Sequence, residues 1–285
     1  FSMVQSTDDP ANGFGNSLKI DCTTANASPP ANSNLYLSMQ TEGRNLQGLL
    51  KGTSDARTST IAYWIKSNKT GNYVVELWDR TYNRHVGKVV TISSANTWEK
   101  HVCNFPADTT GATLPNSDRS IMISWAFDAG SDYTSGTLPS TWSGFVNANR
   151  FAGTTLDLGD NTANEVLITG VQWEIGTFTS ATIPPFQFED GGTNLRRCQR
   201  YFQILNHDAD ILFINAMGST GTTASSSTTL SYMTQMRTDP TTSISYTNLS
   251  ATSVTLSETE IKLAGNASTT DAPRIEQQIL LEAEI

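Results

Sequence analysis

The sequence has little charge and lacks any long apolar run. Charged residues make up 16 % of its 285 positions, against roughly 25 % in an ordinary globular protein, so the polar surface comes largely from Ser, Thr, Asn and Gly. That composition is typical of β-structure with short polar turns. No stretch approaches the about 18 apolar residues that indicate a membrane-spanning helix, and the first residues show no signal-peptide pattern. We therefore expect no membrane insertion.

Cysteine is also scarce, and the net charge of −9 disfavours a nucleic-acid partner. Cys22, Cys103 and Cys198 are far apart in the sequence and form no CxxC motif. Such a set does not fit a disulfide framework and predicts free, buried thiols in a protein that folds in a reducing cytoplasm. The one dense basic cluster lies at 196–200, where we expect the solvated face of a helix.

Alternation of apolar and polar residues dominates the first two thirds of the chain. It predicts at least six strands, at 58–67, 72–79, 86–92, 97–105, 119–127 and 165–176. The sequence "NKTG" at 68–71 reads as a turn that joins the first two of these into an antiparallel hairpin. Strands separated by turn-rich loops predict an all-β fold, and we expect an N-terminal jelly-roll sandwich over 1–190.

One segment does not alternate. Apolar residues recur in it at spacings of three and four, which predicts an amphipathic helix that packs this stripe inward (Leu195, Cys198, Tyr201, Phe202 and Leu205). We assign 191–205 as a short helix that links two domains. Alternating segments return in 206–285 and predict a smaller C-terminal β domain. A domain of about 80 residues is small for independent stability, which favours oligomerisation.

A series of motifs across this junction resembles a known family. "GVQWEIG" at 170–176, "PF" at 185–186 and "RCQRYF" at 197–202 resemble sequences of tail-fibre and virion-surface proteins of tailed bacteriophages. The segment 63–79, "YWIKSNKTGNYVVELWD", is similar to a hairpin of carbohydrate-binding-module jelly rolls. The resemblance implies a bacteriophage virion structural protein, often a homotrimer, that is assembled in the host cytoplasm and contacts other virion or tail proteins. It implies no catalytic residues.

Few residues suggest catalysis or metal binding. The three histidines are scattered, and a nucleophile motif of the GxSxG type is absent. Glu189 and Asp190 are sequence neighbours on an extended path, so their side chains point to opposite sides and do not suit a glycosidase pair. Asp157, Asp160 and Glu165 offer oxygen ligands for a loop calcium ion, although ordinary surface charge explains them as well. We therefore predict no enzyme, no cofactor and no metal.

Sugar binding requires less chemistry than catalysis. Aromatic rings stack on the apolar faces of sugars, and a few polar groups bind the hydroxyls. Trp78 at the end of a strand, and Tyr133 and Trp142 in the long segment 128–164, are the candidate carbohydrate-binding residues, with packing in a sandwich as the alternative role for each tryptophan. The sequence thus predicts a tail-fibre component that binds host surface polysaccharide. The alternatives are a passive capsid or tail decoration protein, a glycan-degrading tail enzyme, and a cellular carbohydrate-binding module.

Overall fold

The alternating segments of the first 186 residues form two antiparallel sheets in a computed structural model of the chain. The structure describes residues 1–10, 13–205, 212–213, 225–242, 244, 249–267, 274–275 and 279–283. It divides the chain into an N-terminal unit, Phe1–Phe186, and a C-terminal unit, Gln187–Ile285. The prediction of an all-β fold is confirmed. Within the described residues, no helix is both long and apolar enough to cross a membrane.

The N-terminal unit contains ten strands and one short α-helix, with 3-10 turns at Gly43–Leu49, Asn147–Asn149 and Leu158–Asp160. The helix is α1 (Ser131–Thr134). The strands are β1 (Ser2–Ser6), β2 (Ser17–Asp21), β3 (Asn34–Glu42), β4 (Ser59–Ser67), β5 (Gly71–Asp79), β6 (Arg84–Ile92), β7 (Glu99–Phe105), β8 (Arg119–Ala129), β9 (Ser143–Gly144) and β10 (Glu165–Ile175). All six strands predicted here from alternation are confirmed.

The two sheets pack face to face as a jelly-roll sandwich. One has the order β1-β2-β10-β4-β7 and the other the order β3-β8-β5-β6-β9, so the chain crosses repeatedly from sheet to sheet. Alternate residues of β4, β5 and β8 point into one shared core, in which Tyr63, Tyr73 and Trp125 are the largest fully buried side chains. This double-sheet arrangement is the one expected from the sequence.

The predicted hairpin between 58–67 and 72–79 is wrong, although both strands exist. β4 pairs with β10 and β7, whereas β5 pairs with β6 and β8 in the opposite sheet. The turn at 68–70 therefore crosses between the sheets. The crossing brings Tyr63 and Tyr73 together in the core, where their hydroxyls are hydrogen-bonded at 2.5 Å. The two strands therefore contact each other through side chains in the core and not through the backbone hydrogen bonds of a hairpin.

A β-bulge interrupts β10 at the start of the "GVQWEIG" motif. The register with β4 shifts between Thr169 and Gln172, and Gly170 lies in the left-handed region with φ +60°. A Cβ atom at this position would lie 2.5 Å from Cζ of Phe14. Glycine is therefore required here both by backbone conformation and by the close approach of an aromatic ring.

The described residues of the C-terminal unit form a helix and seven strands. The helix is α2 (Gly191–Gln199). The strands are β11 (Phe202–Leu205), β12 (Leu212–Phe213), β13 (Ser225–Ser231), β14 (Leu249–Leu256), β15 (Glu260–Ala267), β16 (Arg274–Ile275) and β17 (Ile279–Glu282). They pair as β11-β17, β12-β16 and β13-β15-β14. A small core lies among them (Met236, Ile261, Leu263, Ile279, Leu281 and Ala283).

The helix predicted over 191–205 is correct only in its first part. α2 ends at Gln199, and Phe202–Leu205 instead forms β11, paired with β17. A period of two then replaces the helical period, so Gln203 is buried at 3 % exposure while Phe202 remains 39 % exposed. The inward-packed stripe is therefore wrong. The side chain of Leu195 is 56 % exposed, and Cys198 is exposed rather than a buried thiol.

Side-chain hydrogen bonds to the backbone hold two polar residues of this segment in place, the exposed Asp190 and the buried Gln203. Asp190 caps the N-terminus of α2, since its side chain accepts from Thr193 N–H at 2.9 Å. The Gln203 amide donates to Thr234 O at 2.6 Å and accepts from Met233 N–H at 3.0 Å. Gln203 is itself buried, and both ends of its amide thus have a hydrogen-bond partner on the backbone.

Candidate functional site

The predicted residue Trp78 lies in a crowded cluster. Its ring stacks on Phe145 with centroids 4.1 Å apart, and the guanidinium groups of Arg80 and Arg150 lie 3.8 and 4.7 Å from its centre. Arg150 in turn forms a buried ion pair with Glu76 at 2.9 Å. Trp78 therefore helps to cover a buried charge pair, and its ring already packs against three side chains of the protein.

Tyr133 and Trp142 lie in two further sets of contacts. Tyr133, on α1, packs its ring 6.1 Å from that of Phe151 in a small apolar cluster. Trp142 packs against the sandwich core and donates its Nε1–H to Pro106 O at 2.9 Å. Both side chains are half-buried. The structure thus gives each of the three predicted aromatic residues a packing partner and does not join them in one platform.

Two of the three carboxylates considered for calcium are paired with lysines, and the third, Asp157, contacts a lysine only through its backbone carbonyl. Asp160 contacts Lys69 at 2.5 Å, and Glu165 contacts Lys19 at 2.6 Å. Hydrogen bonds from Lys69 and Asn164 hold the pKa of Asp160 below its usual value. In the part of the chain that the structure describes, no group of three or more potential metal ligands occurs.

A different site lies at one end of the sandwich, where β3 begins and β8 ends. It is a cavity of about 230 Å³, which we call the end pocket (Phe1, Thr24, Asn26, Pro29, Ser33, Asn34, Leu35, Asp128 and Gly159). Backbone hydrogen bonds hold its walls together, since Asn26 N–H donates to Gly159 O at 2.7 Å and Gly130 N–H donates to Ser33 O at 2.8 Å. Its volume lies below the roughly 300–1,000 Å³ typical of sites for drug-sized molecules, so it suits a single small ring.

Asp128 is the charged group of the end pocket. It lies near the end of β8 opposite Leu35 and is only 8 % exposed. Its Oδ2 accepts a hydrogen bond from Gly159 N–H at 2.9 Å, and Oδ1 accepts none from the described residues. Burial raises the pKa of this carboxyl above its usual value. The Gly159 N–H and the charge of Lys69 oppose the shift, and Asp157 and Asp160 add to it.

Uncharged groups complete the end pocket. Thr24, Asn26 and Asn34 are exposed around it, and they supply one hydroxyl and two amide groups. The Phe1 ring forms an apolar wall, because its Cζ lies 3.6 Å from the position that a Cβ on Gly159 would take. That same Cβ would lie 2.8 Å from Asp128 Oδ2, so the absence of a side chain at Gly159 keeps the pocket open.

None of these residues was predicted as a site from the sequence. The pocket collects positions 1, 24–35, 128 and 159, which are widely separated in the chain. The single sequence signal was an acidic residue, Asp128, directly after the apolar strand "SIMISWAF". The alternation of apolar residues ends the predicted strand at 127 and leaves Asp128 in the segment 128–164. In the structure β8 continues to Ala129 and holds Asp128 in the sheet.

No protein-family model and no curated protein matches the sequence. Among solved structures, the enzymatically active domain of tailspike protein 4 of bacteriophage CBA120 is similar at 10 % identity and a TM-score of 0.32, over 61 % of this chain and 18 % of that one. A putative sugar-binding protein from Bacteroides thetaiotaomicron is similar at 12 % identity and a TM-score of 0.32, over 61 % and 81 %. This chain thus spans less than a fifth of the tailspike chain.

The tandem CBM22-1–CBM22-2 domain of Paenibacillus barcinonensis Xyn10C is similar at 9 % identity and a TM-score of 0.29, over 99 % of this chain and 91 % of that one.

Proposed function

We propose that the N-terminal unit binds one sugar residue of a bacterial surface polysaccharide in the end pocket, without cleaving it, and that the protein belongs to a bacteriophage virion. The observation that carries the sugar-binding proposal is the Asp128 carboxylate, which is 8 % exposed, lines the cavity, and has one oxygen, Oδ1, that accepts no hydrogen bond from the described residues. An ionised carboxylate oxygen without a protein donor is free to accept hydrogen bonds from a ligand. Two hydroxyl groups of a sugar would supply these hydrogen bonds.

The other groups of the pocket suit the rest of a sugar ring. Sugars present hydroxyls that both donate and accept, and the amides of Asn26 and Asn34 do the same. The Phe1 ring offers an apolar surface of the kind that packs against the C–H face of a pyranose. An apolar wall with a few placed polar groups is the usual composition of a small-molecule site.

Binding without cleavage is favoured by the carboxylates at the site. Glycosidases generally use two carboxyl groups on opposite sides of the scissile bond, about 5–10 Å apart. Asp128 is the single carboxylate among the described residues that line the end pocket. Of the two neighbouring carboxylates, Asp160 is occupied by Lys69 and by Asn164, and Asp157 is not among the residues that line the pocket.

The virion role rests on the resemblance of the "GVQWEIG" and "RCQRYF" segments to phage tail-fibre and virion-surface proteins. A site that holds a single sugar binds weakly, and an affinity near millimolar corresponds to about 4 kcal/mol. In a homotrimer, and in several copies on one particle, effective concentration would raise the apparent affinity by orders of magnitude. Weak single sites are therefore compatible with stable attachment to a host.

A bacterial glycan array probed with the full chain tests the sugar site. We expect binding that falls at least about tenfold in Asn34→Ala, since about 1.4 kcal/mol separates each decade. Asn147→Ala removes an equally exposed amide outside the pocket and serves as the matched control.

Glycan binding by the Tyr133→Ala and Trp142→Ala variants shows where the sugar site lies if it is not the end pocket. Full binding by a folded Asn34→Ala variant, with loss in Trp142→Ala, would move the site to the long aromatic segment. Release of reducing sugar from the bound glycan would replace the binding function by a glycan-degrading enzyme. Electron microscopy of particles labelled with an antibody to this chain tests the virion role separately.

A further inference from the structure

Carboxylates outnumber cationic side chains around the end pocket. Asp128 is the single ionisable side chain among its lining residues, and Asp157 and Asp160 stand on either side of Leu158 and Gly159 at its wall. The lysine of this region is already engaged, because Lys69 Nζ contacts Asp160 Oδ2 at 2.5 Å and Asp157 O at 2.9 Å. A ligand therefore meets an anionic pocket.

Asp128 has no ion-pair contact within the described residues, and Lys69 acts on it only from a longer distance. No described lysine or arginine, nor the Phe1 α-amino group, forms an ion pair with it. By contrast, the buried carboxylates Glu76, Asp79 and Asp108 of the same unit each contact a cationic side chain at 2.5–3.2 Å. Buried charges in proteins are normally paired. Asp128 is the exception among these carboxylates, and it lines the end pocket.

We propose, building on the carbohydrate-binding function above, that the end pocket selects a sugar with a free amino group, whose ammonium pairs with Asp128 Oδ1. The ammonium supplies a second hydrogen-bond donor to the Asp128 carboxylate and an opposite charge in direct contact with it. Hydrogen bonds between ionised partners are roughly twice as strong as neutral ones. The surrounding hydroxyl and amides of Thr24, Asn26 and Asn34 then contact the neutral remainder of the ring.

The same charges disfavour other sugar classes. An N-acetylated amine carries no charge, so it would lose the pairing with Asp128 and add an acetyl group to a pocket of about 230 Å³. A uronic acid would place a second carboxylate beside Asp128, in the field of Asp157 and Asp160, where like charges repel. The expected order of affinity is amino sugar, then neutral hexose, then uronic acid.

Titration calorimetry or ligand-observed NMR on the full chain tests this order. The ligands are glucose, glucosamine, N-acetylglucosamine and glucuronic acid, together with the four galactose counterparts, so that one member of each class is present in two stereochemical series. We expect the amino sugar to bind about tenfold more tightly than its parent hexose in at least one series, equivalent to about 1.4 kcal/mol. Higher salt should reduce this preference.

The Asp128→Asn variant keeps the shape and the acceptor for Gly159 N–H while removing the charge. It should bind the neutral hexose and lose the amino-sugar preference. Equal affinity of amino sugar and hexose in the unaltered chain, or a preference that survives in Asp128→Asn, would overturn the charge selection and leave the sugar site in place. Absence of binding by all eight sugars would overturn both the selection and the proposed site.

Discussion

The ammonium group of Lys51 lies 2.5 Å from a carboxylate oxygen of Asp79, and both side chains are 3 % exposed. Three more oxygens surround the same ammonium, since Asp108 Oδ2 lies at 3.2 Å and the carbonyls of Thr110 and Gly111 at 2.9 and 2.8 Å. Lys51 thus ties the loop before β4, the end of β5 and the loop after β7 together through one buried charge.

Replacing Lys51 by Met should destabilise the N-terminal unit by about 3–5 kcal/mol, because two buried carboxylates would lose their shared cation. All six tryptophans lie between residues 64 and 173, so tryptophan fluorescence during denaturant unfolding reports this unit alone. Lys100→Met is the control, since Lys100 forms no ion pair within the described residues. A loss below about 1 kcal/mol for Lys51→Met would contradict the role of the buried ammonium.

Replacing Asp128 by Asn should raise the free energy of unfolding at pH 7. The folded protein holds the pKa of Asp128 above its usual value, chiefly through burial. Between the unfolded value of about 3.9 and the raised folded value, the folded state binds more protons, so stability falls as the pH rises through this window.

The advantage of Asp128→Asn should therefore shrink as the pH is lowered toward 4 and vanish where both states are protonated. Denaturant unfolding at several pH values, with Asp132→Asn at an exposed position of α1 as control, measures it. If the difference in unfolding free energy between Asp128→Asn and the unaltered chain grew on acidification, the folded protein would favour the ionised form of Asp128, contrary to the raised pKa.

Replacing Gly170 by Ala should destabilise the N-terminal unit by about 1–3 kcal/mol. The left-handed conformation costs a non-glycine residue about 1–2 kcal/mol, and the new Cβ would lie 2.5 Å from the Phe14 ring. Gly144→Ala is a matched control, because a Cβ there meets nothing within 4 Å. Equal stability of the two variants in the fluorescence assay would show that the bulge tolerates a side chain.

Replacing Gln203 by Ala should loosen the C-terminal unit more than replacing Phe202. The first change removes a side chain that is 3 % exposed together with its hydrogen bonds to Met233 N–H and Thr234 O, at about 0.5–1.5 kcal/mol for each bond. The second removes a side chain that is 39 % exposed, so the loss should stay near or below about 1 kcal/mol. Hydrogen exchange of peptides over 198–205 and 228–236 measures the loss of stability in each variant. A larger loss for the Phe202 variant than for Gln203→Ala would contradict the strand and favour a helix that buries Phe202.

Much of the architecture follows from local sequence patterns. A strand exposes alternate residues to opposite faces, so the alternation of Ile61, Tyr63 and Ile65 predicts both β4 and its inward face. The same pattern in 119–127 predicts β8. Three- and four-residue spacing predicts a helix near 195, which exists as α2, but the spacing continues by coincidence into β11. There, pairing with β17 outweighs the local helical pattern.

The sequence by itself determined six strands of the N-terminal unit, the residues that share a face in them, and the all-β class, because these depend on periods of a few residues. Only the tertiary structure decided that β4 and β5 belong to opposite sheets, that α2 ends at Gln199, and that Asp128 and Gly159 share a cavity with Phe1. Strand partners and cavities depend on contacts between distant segments, whose free energy comes from burial and hydrogen bonding in the assembled fold. The local pattern of residues carries no information about those contacts.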